Sequence, residues 1–391
     1  MNVRLLFLLL FLALARGSEA ATYYVCASGG DDAASGQSAA AAWQTLERVN
    51  RARLLPGDSV LLKRGEVWHE ELKPPASGSV GDPITFGAYG EGARPVISGR
   101  LKGASGSEQF RDCNIDNHEQ SHIVYDGLDL REAREGLRLF AWSGDVKNIT
   151  LKNSVIQSER SQPHGTMSAG VYASVETGRL SEIIIENNTF VPFPTTLEHW
   201  GIYFVKGVSN FTITANTFGP AGEDAITIWH SQSGVIERNR GGGNGENTVD
   251  VKDSHDIVIR NNRGEADGEY NIVVHGVDSE RGTFHIKVEH NFCLRGGQAG
   301  QLTSGIAILF AQDVQVVDNW VEDARGAGIF ENDRGEASGN EIARNQLRHN
   351  GTHDGVGAIC RIMGLRADFV ACCNRVWLNL DGQTGARYQF Q

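Results

Sequence analysis

The chain has 391 residues, carries a formal net charge of −12 and contains 47 glycines. An acidic protein binds polyanions poorly, so the charge argues against nucleic acid as a partner. A polyanionic ligand would need a local basic groove or a bound cation. Length alone predicts two or three domains, but a repeat protein can extend as one unit, and this chain contains repeats.

The N-terminus is typical of an exported protein. Arg4 precedes an apolar run over residues 5–15, and residues 18–20 place small side chains where a signal peptidase reads them. The run is shorter than the roughly 20 residues that a membrane span requires. We therefore expect residues 1–20 to be a signal peptide and the mature chain to be secreted or periplasmic, monomeric and not inserted in a membrane.

Six cysteines follow in the exported part of the chain, where disulfides are permitted. Sequence does not choose among the fifteen pairings that six cysteines allow. Cys293, Cys360 and one of the neighbours Cys372 and Cys373 are candidates for the core.

Residues 21–100 differ in pattern from the rest and are predicted to form an N-terminal cap with the first coils. Residues 43–53 have the period of a short amphipathic helix, with Trp43, Leu46 and Val49 on one face. A helix that covers the open end of a solenoid would protect the core there. A turn at residues 56–58 then leads into an apolar strand.

From about residue 146 the chain repeats one phrase: an alternating apolar strand, then Asn, then a turn. A second apolar strand precedes many of these phrases, for example residues 225–229 and 248–252. Alternation of β-branched residues indicates strands, and recurrence every roughly 23 to 35 residues indicates a β-solenoid. Propellers and sandwiches need hairpins, which are few here. We predict an all-β, single-stranded, right-handed parallel β-helix over residues 101–391, continuous with the cap, with stacked Asn side chains forming an internal ladder. The Asn phrases end at Asn153, Asn188, Asn216, Asn239, Asn262, Asn291, Asn319, Asn345 and Asn374.

The N-terminal segments resemble the cap and first coils of the pectate-lyase-like β-helix superfamily. They are TYYV at residues 22–25, PGDSVLLKRG at 56–65, GDPITFGAYG at 81–90 and PVISG at 95–99. That superfamily includes lyases, glycoside hydrolases, epimerases and non-enzymatic surface proteins, so the resemblance implies the fold and leaves the activity open.

Three consecutive coils of equal length predict columns of side chains on the outer wall. Residues 23 apart should stack about 4.8 Å from one another. One column holds Glu223, Glu246 and Glu269; the other holds Trp229, Lys252 and His275. Stacked carboxylates repel, and a hard cation removes the conflict. We therefore expect Ca²⁺ on the three glutamates with Asp224; the alternative is that the glutamates lie in solvated turns. Alternation within the strand places Asp250 and Lys252 outward together.

Residues 245–254 (GENTVDVKDS) and 274–276 (VHG) resemble the active-site stretch of alginate and chondroitin lyases with this fold. The resemblance implies that Glu246 helps to hold Ca²⁺ and that Lys252 is the base. The arginine that serves as acid in those enzymes is missing, which leaves His275 or Arg295 for that role.

These observations predict a Ca²⁺-assisted lyase that cleaves an acidic, uronate-containing polysaccharide by β-elimination. A lysine beside Ca²⁺ would have its pKa lowered towards the range of a base, and Asp250 would hold that lysine in place. Alternatives are a glycoside hydrolase using two carboxylates, a C5-epimerase, and a non-catalytic carbohydrate-binding surface protein. The candidate substrate-binding residues are Trp229, His230, Tyr203, His199 and Arg295.

Overall fold

A computed structural model describes residues 20–101, 109–158, 167–192, 198–276, 282–298, 303–332, 339–351, 359–362, 370–372 and 374–377. Residues 1–19 of the predicted signal peptide and Cys373 lie outside the described residues. The chain winds into coils. Strands of successive coils lie side by side and form long sheets, in which nearly all neighbouring strands pair in parallel. The predicted architecture of a parallel β-helix is confirmed.

The first wall, sheet 1, has thirteen strands. Its strands are Thr22–Val25, Ser59–Lys63, Ile84–Tyr89, Ile123–Asp126, Asp145–Lys152, Arg179–Glu186, Val208–Thr214, Gln232–Glu237, His255–Arg260, Thr283–Glu289, Ala311–Val317, Glu341–Ala343 and Val370–Cys372.

The second wall, sheet 2, has eleven strands and carries the candidate site. Its strands are Arg100–Leu101, Gln109–His118, Ala133–Ala141, Ser168–Val175, His199–Phe204, Ile226–Trp229, Asn247–Lys252, Tyr270–His275, Ser304–Leu309, Ala327–Asn332 and Ile359–Ile362. The first two of these pair antiparallel; the rest pair in parallel.

The third wall consists of a six-stranded and a five-stranded sheet, linked through single bridges at Arg240. The strands of the first are Val67–Trp68, Val96–Ser98, Asp129–Arg131, Val155–Gln157, Thr189–Phe190 and Thr217–Phe218. The strands of the second are Arg263–Glu265, Phe292–Leu294, Trp320–Glu322, Gln346–Arg348 and Arg375–Trp377.

The predicted asparagine ladder runs through the interior. The side chain of Asn239 accepts from the backbone N–H and the amide of Asn216, both at 3.0 Å, and donates to Asn262 at 3.0 Å. The same pattern continues from Asn188 to Asn374. Asn153 was expected in this ladder, but Ser154 takes the position: its N–H donates to Asn188 at 2.9 Å. Asn153 instead adopts a left-handed turn conformation, with φ 53°, at the surface.

The N-terminal helix is shorter than predicted. It spans Leu46–Asn50, and Leu46 and Val49 are buried in the core as expected. Trp43 is also buried, but it lies before the helix and forms an isolated bridge with Val25. A single turn of 3₁₀ helix occupies Ala39–Ala41. That the helix covers an open end of the solenoid stays a prediction.

The described cysteine side chains are buried free thiols: Cys26, Cys113 and Cys293. Cys293 is fully buried, as predicted for a core residue. Among the described residues, none of the helices has the length and apolar character needed to span a lipid bilayer.

Candidate active site

The predicted vertical registry is present on sheet 2. Trp229, Lys252 and His275 are direct partners in three adjacent parallel strands. The three glutamates stack as well: the N–H of Glu246 donates to the carbonyl of Glu223 at 3.1 Å, and the N–H of Glu269 donates to that of Glu246 at 2.9 Å. Equal coil lengths of 23 residues therefore bring both columns onto one wall, as the spacing predicted.

Asp250, Lys252 and His275 form the centre of this wall. The Lys252 Nζ lies 2.8 Å from the Asp250 Oδ2, and the His275 Nδ1 lies 3.6 Å from the Asp250 Oδ1. Asp250 points outward, but its side chain is only 2% exposed, whereas Lys252 and His275 remain 23% and 19% exposed. The contact agrees with the predicted role of Asp250 in holding Lys252; the alternative, that Asp250 merely lies on a solvated face, does not fit its burial.

The charge state of Lys252 differs from the expectation. Burial alone would lower the pKa of its ammonium, but Asp250, Asp224 and Glu246 outweigh burial and raise that pKa well above its usual value. Burial raises the pKa of Asp250 to about 6 despite the opposing effect of Lys252. Burial, with help from Lys252, lowers the pKa of His275 to about 4. At neutral pH the cluster thus holds an ammonium and a neutral imidazole, so Lys252 is not poised to accept a proton.

The glutamate column holds a carboxyl pair. Partial burial and the neighbouring Glu246, which also hydrogen-bonds it, raise the pKa of Glu223 to about 8. Burial and Glu246 raise the pKa of Glu269 too. Two groups of three described residues have ligand atoms all within 4.8 Å of one another, and neither contains these glutamates. Glu223 therefore keeps its proton at neutral pH, because it is partly buried beside another carboxyl group.

Asp224 is predicted as a fourth metal ligand, but both of its carboxyl oxygens bond to other residues of the protein. It is fully buried, and one carboxyl oxygen accepts from the backbone and side chain of Asn247 at 3.0 and 2.8 Å. The other accepts from the Thr227 hydroxyl at 2.5 Å. Burial raises the pKa of Asp224 to about 8. Since both oxygens are engaged inside the wall, Asp224 fixes the turn and is not offered to a cation.

Aromatic residues border the centre on its N-terminal side. The Trp229 Nε1 donates to Asp253 at 3.1 Å, and its indole stacks on the ring of His230 at 5.1 Å between centroids. Tyr203 stacks on Trp200 at 4.6 Å, and burial raises its pKa. On the other side the outward row becomes apolar, with Val273, Ala307, Ala327 and Phe330 forming a separate buried cluster. The polar centre therefore lies between an aromatic and an apolar stretch of wall.

Two candidate residues do not join the site. His199 is buried, its Nε2 lies 2.7 Å from the Ser158 hydroxyl, and burial lowers its pKa to about 3. Arg295 follows a strand of the third wall and pairs with Glu265. Both residues lie near coil corners, where the sequence pattern does not predict which wall a side chain will face.

A cavity of about 550 Å³ on the same wall was missed. Its lining includes Asp116, Arg138 and Tyr172, which are partners in adjacent strands of sheet 2. Coil lengths vary in this part of the chain, so no constant spacing in the sequence predicts that these three residues are neighbours.

A family model described as right handed beta helix region matches residues 140–291. The match agrees with the stacked parallel coils and supplies their hand. The protein is a right-handed parallel β-helix. The resemblance to the pectate-lyase-like proteins is thereby confirmed at the level of the fold.

Three known proteins are similar to this β-helix. A lacto-N-biosidase of Bifidobacterium longum subsp. longum is 33% identical over 173 residues, which are 42% of this chain and 9% of that protein. The structure of a GH136 lacto-N-biosidase from Eubacterium ramulus superposes with a TM-score of 0.64 and 17% identity, covering 95% of this chain and 70% of that one. A mannuronic acid specific polysaccharide family 6 lyase from human gut microbiota gives 0.58 and 17%, covering 92% and 87%.

This β-helix therefore spans only 9% of the length of the curated relative that it matches. At 17% identity the two structural matches show a shared fold and no more. The activity has to be argued from the wall itself.

Proposed function

We propose that the protein cleaves glycosidic bonds by hydrolysis, with Glu223 as the general acid and Glu246 as its partner carboxylate. The observation that carries the proposal is the raised pKa of Glu223, about 8, beside Glu246 on the outer wall. A carboxylic acid that keeps its proton at neutral pH can protonate the departing sugar oxygen, while a neighbouring carboxylate stays ionised.

The spacing suggests a particular course for the reaction. Adjacent coils lie about 4.8 Å apart. Retaining glycosidases separate their two carboxyl groups by roughly 5 to 5.5 Å. The Glu223 and Glu246 carboxyls hydrogen-bond each other directly, so in this proposal a sugar that enters between them moves them apart to that separation. In this proposal Glu246 attacks the anomeric carbon as Glu223 gives its proton to the leaving oxygen. Water then releases the sugar from Glu246 after losing a proton to Glu223, so the anomeric configuration is retained.

The central cluster has a supporting role. The Lys252 ammonium, held at 2.8 Å by Asp250, balances the negative charge of that carboxylate and keeps a positive charge beside the glutamates. The neutral imidazole of His275 can hydrogen-bond a sugar hydroxyl without changing the charge of the site. Trp229, which is partly exposed, offers ring surface beside it, whereas Tyr203 is buried. The 33% identity to part of a lacto-N-biosidase supports hydrolysis as the reaction class.

A cation-assisted lyase is the second candidate, favoured by one observation: burial and the neighbouring Glu246 raise the pKa values of Glu223 and Glu269, and a bound cation would oppose both effects. Ca²⁺ held by Glu223, Glu246 and Glu269 would stabilise the negative charge that develops on a uronate when its C5 proton leaves. Lys252 would have to lose its proton to act as the base, which the Asp250 pair opposes. A C5-epimerase shares the first step.

Product analysis tests the proposal. Neutral and acidic polysaccharides are incubated with the protein, with EDTA or with added Ca²⁺, and assayed for reducing ends and for unsaturated, UV-absorbing ends. Reducing ends without unsaturation, insensitive to EDTA and abolished in Glu223→Gln, support hydrolysis; the exposed Glu91→Gln is the matched control. Unsaturated ends that depend on Ca²⁺ would replace hydrolysis by the lyase. Absence of any product would reject both.

A further inference from the structure

The cavity on sheet 2 shares its wall with the candidate active site. Asp116, Arg138 and Tyr172 are successive partners, and the same outward row continues through Tyr203 and Thr227 to Asp250. Four strand-to-strand steps separate Arg138 from Asp250, which corresponds to about 19 Å at about 4.8 Å per step. A single extended ligand of that length would therefore span the two positions along the direction of this row.

The charged side chains that line the cavity are partly buried and pair with one another. Glu135 is 5% exposed and accepts from the Arg138 Nε at 2.6 Å, while the Arg134 Nη2 lies 3.4 Å from it. The Arg134 Nη2 also lies 3.6 Å from Asp112 at the rim. Because each guanidinium is fixed by a carboxylate, donors and acceptors are held in place before any ligand arrives.

The charges favour an uncharged ligand. The described lining contains three carboxylates, those of Asp112, Asp116 and Glu135, and two guanidiniums. Lys73 lies 4.0 Å from Asp116 but is itself paired with Glu71 at 2.9 Å. A uronate or phosphate would enter against a net negative charge. Hydroxyl groups suit the lining better, because they donate to carboxylates and accept from guanidiniums.

The rim adds an aromatic surface. Trp142 is 56% exposed, although large apolar side chains on this protein are mostly buried, and its ring lies 5.8 Å from that of Phe140. Phe140 in turn contacts His118 edge-on at 5.3 Å. An exposed indole beside fixed hydrogen-bonding groups, over a cavity of about 550 Å³, matches the size and chemistry of a small-molecule site.

We infer that this cavity is a second sugar-binding site, which takes an uncharged sugar unit of the same chain whose cleavage is proposed at Glu223. The inference rests on the proposed function for its choice of ligand class. Tyr172, Tyr203 and Trp200 bridge the two positions with contacting rings: Tyr172 meets Tyr203 edge-on at 6.1 Å, and Tyr203 stacks on Trp200. Glu223 and Glu246 precede the third and fourth strands after that of Arg138, so the substrate would carry neutral units about 14 to 19 Å from the bond that is cut.

Calorimetric titration tests this directly. The probes are neutral hexasaccharides of xylose and of N-acetylglucosamine, and an acidic hexasaccharide of mannuronate. Trp142→Ala should weaken binding of the better neutral probe about tenfold, the usual scale for losing one aromatic anchor. Ile184→Ala, which removes an exposed apolar side chain from sheet 1, should leave it unchanged. Asp112→Asn, which removes one carboxylate at the rim, should favour the acidic probe relative to the neutral ones.

Three results would overturn the inference: no binding of either neutral probe, equal affinity of Trp142→Ala and wild type, or tighter binding of mannuronate than of both neutral probes by wild type. The outcome is separable from that of the proposed function. Trp142-dependent binding without any cleavage product would leave the cavity site standing and reject the hydrolase. Cleavage abolished by Glu223→Gln but unaffected in KM and kcat by Trp142→Ala, with no loss of affinity, would do the reverse.

Discussion

Removing the ammonium of Lys252 is the sharpest test of how the central cluster is held. In Lys252→Met the Asp250 carboxylate, 2% exposed, loses its partner at 2.8 Å. The remaining ionisable contact is His275 at 3.6 Å, which is neutral above a pKa of about 4. Deleting one partner of a buried ion pair costs about 3 to 5 kcal/mol where the other charge stays buried without compensation, and less here because Asp250 can take up a proton instead.

The pH dependence gives this loss a signature. The pKa of Asp250 is raised by burial to about 6, and Lys252 opposes the rise, so the variant's pKa lies higher still. A carboxyl whose folded pKa is raised loses stability as the pH climbs from its unfolded to its folded pKa, by about 1.4 kcal/mol per pH unit. In wild type this loss ends near pH 6. In the variant it continues, adding up to about 2.7 kcal/mol between about pH 6 and about pH 8.

Thermal unfolding followed by circular dichroism at about pH 5 and about pH 8 measures the effect. We expect Lys252→Met to melt close to wild type at the lower pH and well below it at the higher pH. The double variant Lys252→Met/Asp250→Asn, which removes the buried charge, should recover most of the difference. Asp224 and Glu269 also lose the effect of Lys252, which lowers their pKa values in wild type, so they add to the loss at the higher pH. Carboxyls that Lys252 does not reach are common to all three proteins and cancel. A single variant as stable as wild type at about pH 8, or a double variant no better than the single, would refute the reasoning.

Three further outcomes follow from the same structure. Asn239→Ala removes a ladder residue that makes four buried hydrogen bonds with its neighbours and should cost about 2 to 4 kcal/mol in chemical denaturation, whereas the exposed Gln315→Ala should change stability by less than about 0.5 kcal/mol. His199 has a folded pKa of about 3, so its contribution is full above its unfolded pKa and is lost as the pH falls; His199→Gln should therefore flatten the acid side of a Tm profile, and an unchanged slope would count against it. If Glu223 is the general acid, cleavage should fall as the pH rises through about 8, and Glu223→Asp should shift that limb while Glu223→Gln removes activity about 10² to 10⁴-fold.

The sequence by itself determined the architecture and the registry of the central wall. Strand alternation and the recurring Asn are local signals, and a strict spacing of 23 residues forces stacking because parallel pairing preserves it from coil to coil. The position of Lys252 between Trp229 and His275 could therefore be predicted from the spacing alone. Where coil length varies, the spacing in the sequence does not predict which residues stack. The row from Asp116 through Arg138 to Tyr172 is therefore seen only in the tertiary structure.

Tertiary structure alone decided the charge states and the choice of wall at coil corners. Asp224 and Glu223 are neighbours in sequence, yet Asp224 is fully buried and bonded to Asn247 and Thr227, whereas Glu223 is only partly buried and lies beside Glu246. Whether Lys252 is a base or a fixed ammonium depends on how many carboxylates surround it and on how little water reaches Asp250. The charges around Lys252 and the burial of Asp250 both depend on residues that several coils bring together. The sequence of a single coil therefore does not reveal them.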